Sequence, residues 1–466
     1  MSSLWEKLWF NWVSLKEKEN MMEKIGKNSQ RSIFMKLILG FGILGLLLIG
    51  ITSCNFPDIQ GLLSPSSPTE IPSVSPASPT PNPSATPNVP VLGSETLILW
   101  VPPQFDPLDG STASNLFLSR LGEFSSRRPQ TDIQVRVKEL SGEYGLLESL
   151  RTTRIAAPII MPDLIALPRP LMEQAFLEGL VLPLDEITEV MDENDWFSYA
   201  LDLARVGDQI AGIPFAGDVM VLAYKNDTED PPPPDWDSVL TIQKALAFPA
   251  SDPQALVTLA LYQSLEGELV DPSGELIIGE ESLLEVLTYY QQAQAANVMP
   301  YWLTQFETDQ QSWQSYQDRQ STLAVTWSST LLSSDSPNTA LAALPTKDSK
   351  PFTYADGWVW CVIPSDIETE QVAVELAEFI TAETYLSTWS LESGYLPTRP
   401  SGMDSWSEVS FYSTLQQLLP SAILVPDGHI LDELGPEVRD AVVAVLKDQV
   451  EPASALADLV ETILGP

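Results

Sequence analysis

From Thr96 onward, apolar residues recur with two periods. Short runs with near-continuous or alternating apolar character predict strands. They are Thr96–Val101 (TLILWV), Ile133–Val137 (IQVRV), Asp163–Leu167 (DLIAL), Met220–Lys225 (MVLAYK), Thr322–Trp327 (TLAVTW) and Trp358–Ile363 (WVWCVI). Between them the spacing lengthens to three and four. EQVAVELAEFI places Val372, Leu376, Phe379 and Ile380 on one helical face. PEVRDAVVAVL aligns Val438, Ala441, Val442 and Val445, with Pro436 expected in its first turn. Strands alternating with amphipathic helices predict an α/β fold over residues 95–466. DPPPPDW, Asp230–Trp236, is a rigid break.

Upstream the pattern changes. Lys24, Lys27, Arg31 and Lys36 precede an apolar stretch, Leu37–Ile51, whose length suits a signal h-region or a short membrane helix. Ile51-Thr52-Ser53-Cys54 then resembles the lipobox of bacterial lipoproteins: a branched apolar residue, two small residues and a cysteine that takes up a diacylglycerol. The alternative is an uncleaved membrane anchor. Either way, residues beyond 54 are expected outside the cytoplasm, with 1–53 a lipoprotein-type signal peptide. The unusual first 20 residues leave Met21, Met22 or Met35 as candidate starts. Pro65–Pro90 holds nine prolines and one charge, Glu70. Proline favours extended polyproline II, and few apolar groups are available to offset ordering entropy. Residues 54–94 therefore read as a tether with a reach on the order of 120 Å, at about 3.1 Å per residue.

Composition narrows the function. Lys+Arg 24 against Asp+Glu 63 gives a net charge of −39, and only four of the acids precede residue 54. Such a polyanion is repelled by phosphate backbones and anionic headgroups, so nucleic acid is not an expected partner. His429 is the only histidine, reads as a solvated turn residue in PDGHI, and argues against a Ser-His-Asp system or a histidine-rich metal site. No phosphate-binding loop is present, and no cofactor or metal is expected. Cys361 lacks a partner and reads as a buried small hydrophobe in a strand. A two-carboxylate glycosidase would need no histidine, but no carboxylate pair stands out.

Ten tryptophans fall in residues 95–466. Indole faces stack on sugar C–H faces while carboxylates and amides take the hydroxyls. Trp327, ending a strand, and Trp358, beginning one, are the candidates for a ligand surface. Trp358 and Trp360 share a strand face, with Trp360 the better core candidate and Cys361 on the opposite face.

The order of segments TLILWVPP, FSSRRPQTDIQVRV, PDLIALPRPLMEQAFLEGLVLPLDE, GIPFAGDVMVLAYKND, STLAVTWSS, LAALPTKDSKPFTYADGWVW and LESGYLPTRPS, behind a lipobox, resembles the family 1 extracellular solute-binding proteins. That group includes maltose-binding protein, and its members are receptors of ABC importers. The resemblance spans nearly all of 95–466. It implies a two-lobed, venus-flytrap, type II-like fold, each lobe a sheet flanked by helices. By analogy lobe one covers about 95–214 and 358–400, and lobe two about 215–357 and 401–466. It implies a monomer on the outer face of the cytoplasmic membrane that is no enzyme. Its partners would be a sugar or oligosaccharide and the permease subunits. Matching positions give Asp218 as a sugar-hydroxyl acceptor, Trp327 as an aromatic platform, and Gly357 with Trp358 as a cleft-facing turn. Tyr395 borders the cleft, whereas Pro397 and Arg399 look structural. After the first strand only Gln104 and Asp106 are polar, and LPRP offers only Arg169, so a close maltose-type site is not implied. Same-fold alternatives are a receptor for a polyamine or peptide and a signalling sensor. A secreted glycosidase is the remaining one.

Overall fold

The computed structural model describes residues 95–226, 231–242, 244–334, 336 and 338–465. The expected signal peptide, Cys54 and the proline tract lie outside the described residues. So does Asp230, the first residue of the proline break.

Eleven strands are present among the described residues: β1 (Glu95–Val101), β2 (Thr131–Val137), β3 (Leu164–Pro168), β4 (Arg205–Val206), β5 (Gln209–Ile210), β6 (Ile213–Lys225), β7 (Leu246–Ala247), β8 (Leu323–Trp327), β9 (Thr339–Ala342), β10 (Thr353–Val362) and β11 (Ala422–Leu424). Nine form one sheet in the order β2-β1-β3-β10-β6-β8-β7, with β11 on β10 and β9 on β6. β4 and β5 make a separate hairpin. β1 pairs in parallel with both β2 and β3. β10 runs antiparallel to β3 and β6, and β6 antiparallel to β8 and β9.

β6 and β10 organise the sheet. β6 pairs with β10 from Ile213 to Val219, then with β8 from Met220 to Tyr224. The strand thus belongs to two neighbourhoods, and the changeover falls at Val219–Met220. One extra residue of β6, Phe215, interrupts the register opposite Trp358 and Val359. Such a bulge bends and twists the strand. It drives Phe215 into an aromatic cluster, stacked on Trp360 at 4.6 Å and edge-on to Phe105 at 5.1 Å.

Helices cover the sheet. Thr112–Arg127 begins at Ser111, whose hydroxyl accepts the Ser114 N–H at 3.0 Å. Ile367–Ile380 begins at Asp366, which accepts the Thr369 N–H at 3.1 Å. Each cap satisfies a donor that the first turn leaves unpaired. These two helices pack together, and Glu280–Ala295 packs against both C-terminal helices, Gly428–Leu446 and Pro452–Leu464. The first C-terminal helix differs from the sequence expectation. It starts at Gly428, and Pro436 lies inside it. A proline there removes the donor for the Asp432 carbonyl. Asp432 is exposed, so that carbonyl turns to solvent, while Leu431, Leu434, Val438 and Val442 hold the helix by burial. His429 is exposed in the first turn of this helix rather than in a turn before it.

Trp358 and Trp360 belong to one apolar cluster and Cys361 to the other, as alternation along β10 requires. The Cys361 thiol is buried and free, and burial pushes its pKa well up.

Candidate functional site

The centre of the β6–β10 pairing carries two glycines and two acids. Gly217 is registered on Gly357, and Asp218 on Asp356. The glycines allow close approach. A Cβ at Gly357 would lie 2.4 Å from the Ala216 carbonyl oxygen, and one at Gly217 would meet the Tyr199 hydroxyl at 2.1 Å. Gly357 is therefore buried in backbone packing, and its role in the structure is to let the two strands meet.

The acids sit on the next rung with different surroundings. Asp218 Oδ1 accepts hydrogen bonds from the Ser328 hydroxyl at 2.6 Å, the Ser329 N–H at 2.9 Å and the Val219 N–H at 3.0 Å. Its Oδ2 accepts from the Ser329 hydroxyl. Asp218 thereby caps the short helix Ser328–Leu332 and fastens it to β6. Asp356 accepts the N–H of its neighbour Gly357 at 2.7 Å through Oδ1. Burial raises both carboxyls to about 6. The serine bonds oppose that rise at Asp218, and the nearby Asp356 adds to it. At Asp356 the Gly357 N–H and the Arg169 charge oppose it.

Gln104, Trp358 and Tyr395 gather beside this rung. The Tyr395 hydroxyl is within hydrogen-bonding reach of the Trp358 indole and the Gln104 side chain. Burial, with the charge of Asp218, pushes it up to about 12. Phe105 meets Trp358 edge-on at 5.0 Å and Tyr395 at 5.6 Å, so Trp358 is only 8% exposed. Asp106 is not drawn in: its Oδ1 accepts the Leu108 N–H at 2.9 Å and shapes the next turn.

Asp356 also lines a pocket of about 270 Å³. Trp327, Thr326, Asp252, Glu307 and Asp309 line it together with Asp356. Trp327 is half-buried and ends β8 opposite Met220, two residues along β6 from Asp218. Asp252 accepts the Gln254 and Leu256 N–H groups, both at 3.0 Å, at the start of the helix Leu256–Gln263. Ala255, in the left-handed region at φ 49°, makes that tight entry. Gly435 of the long C-terminal helix presses on the same loop; a Cβ there would lie 2.4 Å from the Pro253 carbonyl oxygen. Asp309 opens the helix Asp309–Gln317, which Thr308 and Gln311 close with a capping box. Burial raises Asp252 and Asp309, and the Asp309 charge adds to the rise at Asp252.

Arg169 is buried away from this pocket and committed elsewhere. It pairs with Glu173, reaches Asp427 at 3.0 Å, and donates to the Asp202 carbonyl at 2.8 Å. Arg399 likewise lies over Trp196 at 3.9 Å and pairs with Glu193. Two larger hollows, about 420 Å³ each, lie beside Pro231–Pro233 and beside Thr96 and Ile98. Neither is lined by a residue proposed from the sequence as a ligand contact.

Sequence reasoning missed Asp356, Asp252 and Asp309. The signals were present: Asp356 has the parity of Trp358 along β10, and Thr308-x-x-Gln311 is a helix-start signature pointing at Asp309.

Residues 128–408 match the model of the family described as bacterial extracellular solute-binding protein. No curated protein sequence matches the chain. Among solved structures, the maltose-bound MalE3 of T. maritima is 17% identical with a TM-score of 0.60, covering 79% of this chain and 99% of that one. MalE from Listeria monocytogenes, in complex with maltose, is 15% identical with a TM-score of 0.65, covering 79% and 97%. An ABC transporter solute binding protein from Agrobacterium radiobacter K84, in complex with ribitol, is 17% identical with a TM-score of 0.57, covering 80% and 98%. The fold is therefore the two-lobed one of periplasmic binding proteins, and the family match covers more than half of the sequence: this chain belongs to the bacterial extracellular solute-binding proteins.

Proposed function

We propose that the chain is a lipid-anchored receptor on the outer face of the cytoplasmic membrane that delivers a carbohydrate to the permease subunits of an ABC importer. Cys54 carries the lipid and residues 54–94 hold the body off the membrane. Lobe one is about 95–214 with 358–400, and lobe two about 215–357 with 401–466. β6 and β10 pass between them, and ligand favours closure by binding the closed state better. Family membership supports the receptor role, and similar folds holding maltose and ribitol support a polyol ligand.

The observation that carries the carbohydrate reading is the pocket where Trp327 stands with Asp356. The indole offers a stacking face, and Asp356, held only through its neighbour's N–H, keeps acceptor capacity for hydroxyls. Asp218 acts through the Ser328–Leu332 helix that positions Trp327. At about 270 Å³ the pocket lies just below the usual ~300–1,000 Å³ range, which favours one or two sugar rings over a long chain.

Tryptophan fluorescence tests this. Titration with mono- and oligosaccharides should give a saturable change for at least one sugar, with no product formed. Trp327→Ala should weaken that affinity at least about tenfold, as expected for a lost stacking platform. Sugar turnover would sink the receptor reading in favour of a glycosidase. An unchanged affinity in Trp327→Ala would move the site elsewhere.

A further inference from the structure

The helix Gly428–Leu446 carries the two weakest helix formers side by side in its middle, Gly435 and Pro436. Glycine there costs backbone entropy, and proline removes a backbone donor. The contacts show what the glycine admits. A Cβ at Gly435 would press on the Pro253 carbonyl oxygen and come within 2.8 Å of the Gln254 Cα and 3.0 Å of the Gln254 carbonyl carbon. These are backbone atoms, which no rotamer change can clear. Gly122, inside the helix Thr112–Arg127, differs: nothing lies within 4 Å of its Cβ position. Gly435 is thus where a helix lets a neighbouring backbone approach. That neighbour is a braced turn. Asp252 accepts the Gln254 and Leu256 N–H groups, and the Ala255 N–H bonds to the Asp252 carbonyl at 3.0 Å. Ser251 is pinned by its N–H to the Phe306 carbonyl and by its hydroxyl to the Thr304 carbonyl, both at 2.8 Å. A turn so braced moves as a unit rather than bending.

Asp252 and Gln254 of this turn line the Trp327 pocket, whereas no residue of the helix does. The turn therefore stands between helix and pocket, with the helix as its backstop. The helix itself is fixed by the burial of Leu431, Leu434, Val438 and Val442. Resting on the carbohydrate reading above, we infer that Gly435 is a positioning residue for the ligand: its missing side chain sets how far the 252–254 turn stands from Thr326 and Trp327, and so the width of the sugar site. Gly435 touches no ligand and acts through the turn. A methyl group in the gap pushes the turn off the helix and into the pocket. In a pocket of about 270 Å³, that shift takes room a sugar ring needs. Packing closeness at the glycine, rather than any polar group of the helix, is what the ligand would feel.

Gly435→Ala in the full chain tests the inference, with Gly122→Ala as the matched change. Both are titrated by tryptophan fluorescence with glucose, galactose, mannose, ribitol, maltose and cellobiose, at a temperature where circular dichroism shows each protein folded. The solute that binds the parent should bind Gly435→Ala at least about tenfold more weakly, the scale of a one-methylene misfit in a fitted pocket. Gly122→Ala should bind it as the parent does. A glycine that serves packing alone would lower the melting temperature and leave the affinity of the folded protein unchanged. That result overturns the inference and leaves the carbohydrate receptor standing. Should Gly435→Ala fail to fold, hydrogen exchange of the parent decides. Saturating solute should slow the Leu434, Gly435 and Glu437 amides, which back the clamped turn, and leave the helix Pro452–Leu464 unchanged. Unchanged exchange at Gly435 overturns the inference in that case. Silence of the parent toward the whole panel overturns both this inference and the carbohydrate reading.

Discussion

Asp218 and Asp356 occupy the same rung of the sheet, one on each crossing strand, and both are raised to about 6 by burial. Their neighbourhoods differ. Around Asp218, two serine hydroxyls and two backbone N–H groups close on the carboxylate. Around Asp356, one adjacent N–H is bound and the residue lines a pocket. The same residue type is a fastener in one place and an open acceptor in the other. What separates them is the following segment: Ser328-Ser329 starts a helix pointed at Asp218, whereas no helix starts at Asp356. An acid matched to a ligand position by sequence order can therefore be occupied by its own fold, with its cross-strand partner left free.

The comparison can be broken most severely at its foundation. Gly357→Ala places a Cβ against the Ala216 carbonyl oxygen, which is backbone and cannot swing away. Forcing the strands apart should cost about 3 kcal/mol or more in urea unfolding and separate both acids from their settings. Asp218→Ala should come next. It strands the Ser329 N–H and leaves the Val219 N–H only its longer bond to the Ser328 hydroxyl, at 3.2 Å; the cost should be about 2 kcal/mol, with ligand affinity changing only a few-fold. Equal losses of affinity in Asp218→Ala and Asp356→Asn would erase the distinction.

The pH dependence sharpens it. Each carboxyl has a folded pKa near 6, above its ordinary 3.8. The folded state then holds protons that the unfolded chain has released, so the cost of these charges is fully present above about pH 6 and relieved as pH falls toward 4. Asp356→Asn removes one such charge. Measured against the parent, the variant should gain about 2 kcal/mol of relative stability between pH 4 and 7. A flat difference would mean that Asp356 is solvated like a surface acid. The smallest expected effect is Ser329→Ala, which removes one hydroxyl from Asp218 and should cost about 1 kcal/mol without altering the ligand preference.

The six longest strands were legible in the sequence, in whole or in part, through their apolar runs, whereas β4, β5, β7, β9 and β11, two to four residues each, are too short to show a period and were not read. The partly read strands are instructive. β6 and β10 were visible only at their outer ends, Met220–Lys225 and Trp358–Ile363, yet they run from Ile213 and Thr353. Gly217-Asp218 and Asp356-Gly357 lie in the unread parts, and glycine and aspartate are poor strand formers. Tertiary pairing overrides that preference, since only glycine fits where the strands cross most closely. Trp327, Gln104, Trp358 and Tyr395 were singled out from residue type and order, and the structure brings the last three together. Asp356 was hidden behind Gly357, and the Asp252 and Asp309 carboxylates depend on loops whose convergence no local pattern reports. Pro436 read as a helix start for the same reason: local chemistry favoured the first turn, and the buried stripe on both sides of it carried the helix through.

The position of β1 has a mechanical consequence. β1 is the first described element, from Glu95; all seven of its residues are in parallel register with β2, while its other edge meets β3. A pull from the preceding chain along the strand would load the rungs together in shear. The two-residue β4–β5 hairpin, by contrast, would open one rung at a time. Detachment under force is governed by the unfolding barrier rather than by equilibrium stability. If the chain is anchored as proposed, a central strand in shear places a high barrier where the pull would act, and the first strand would resist peeling out.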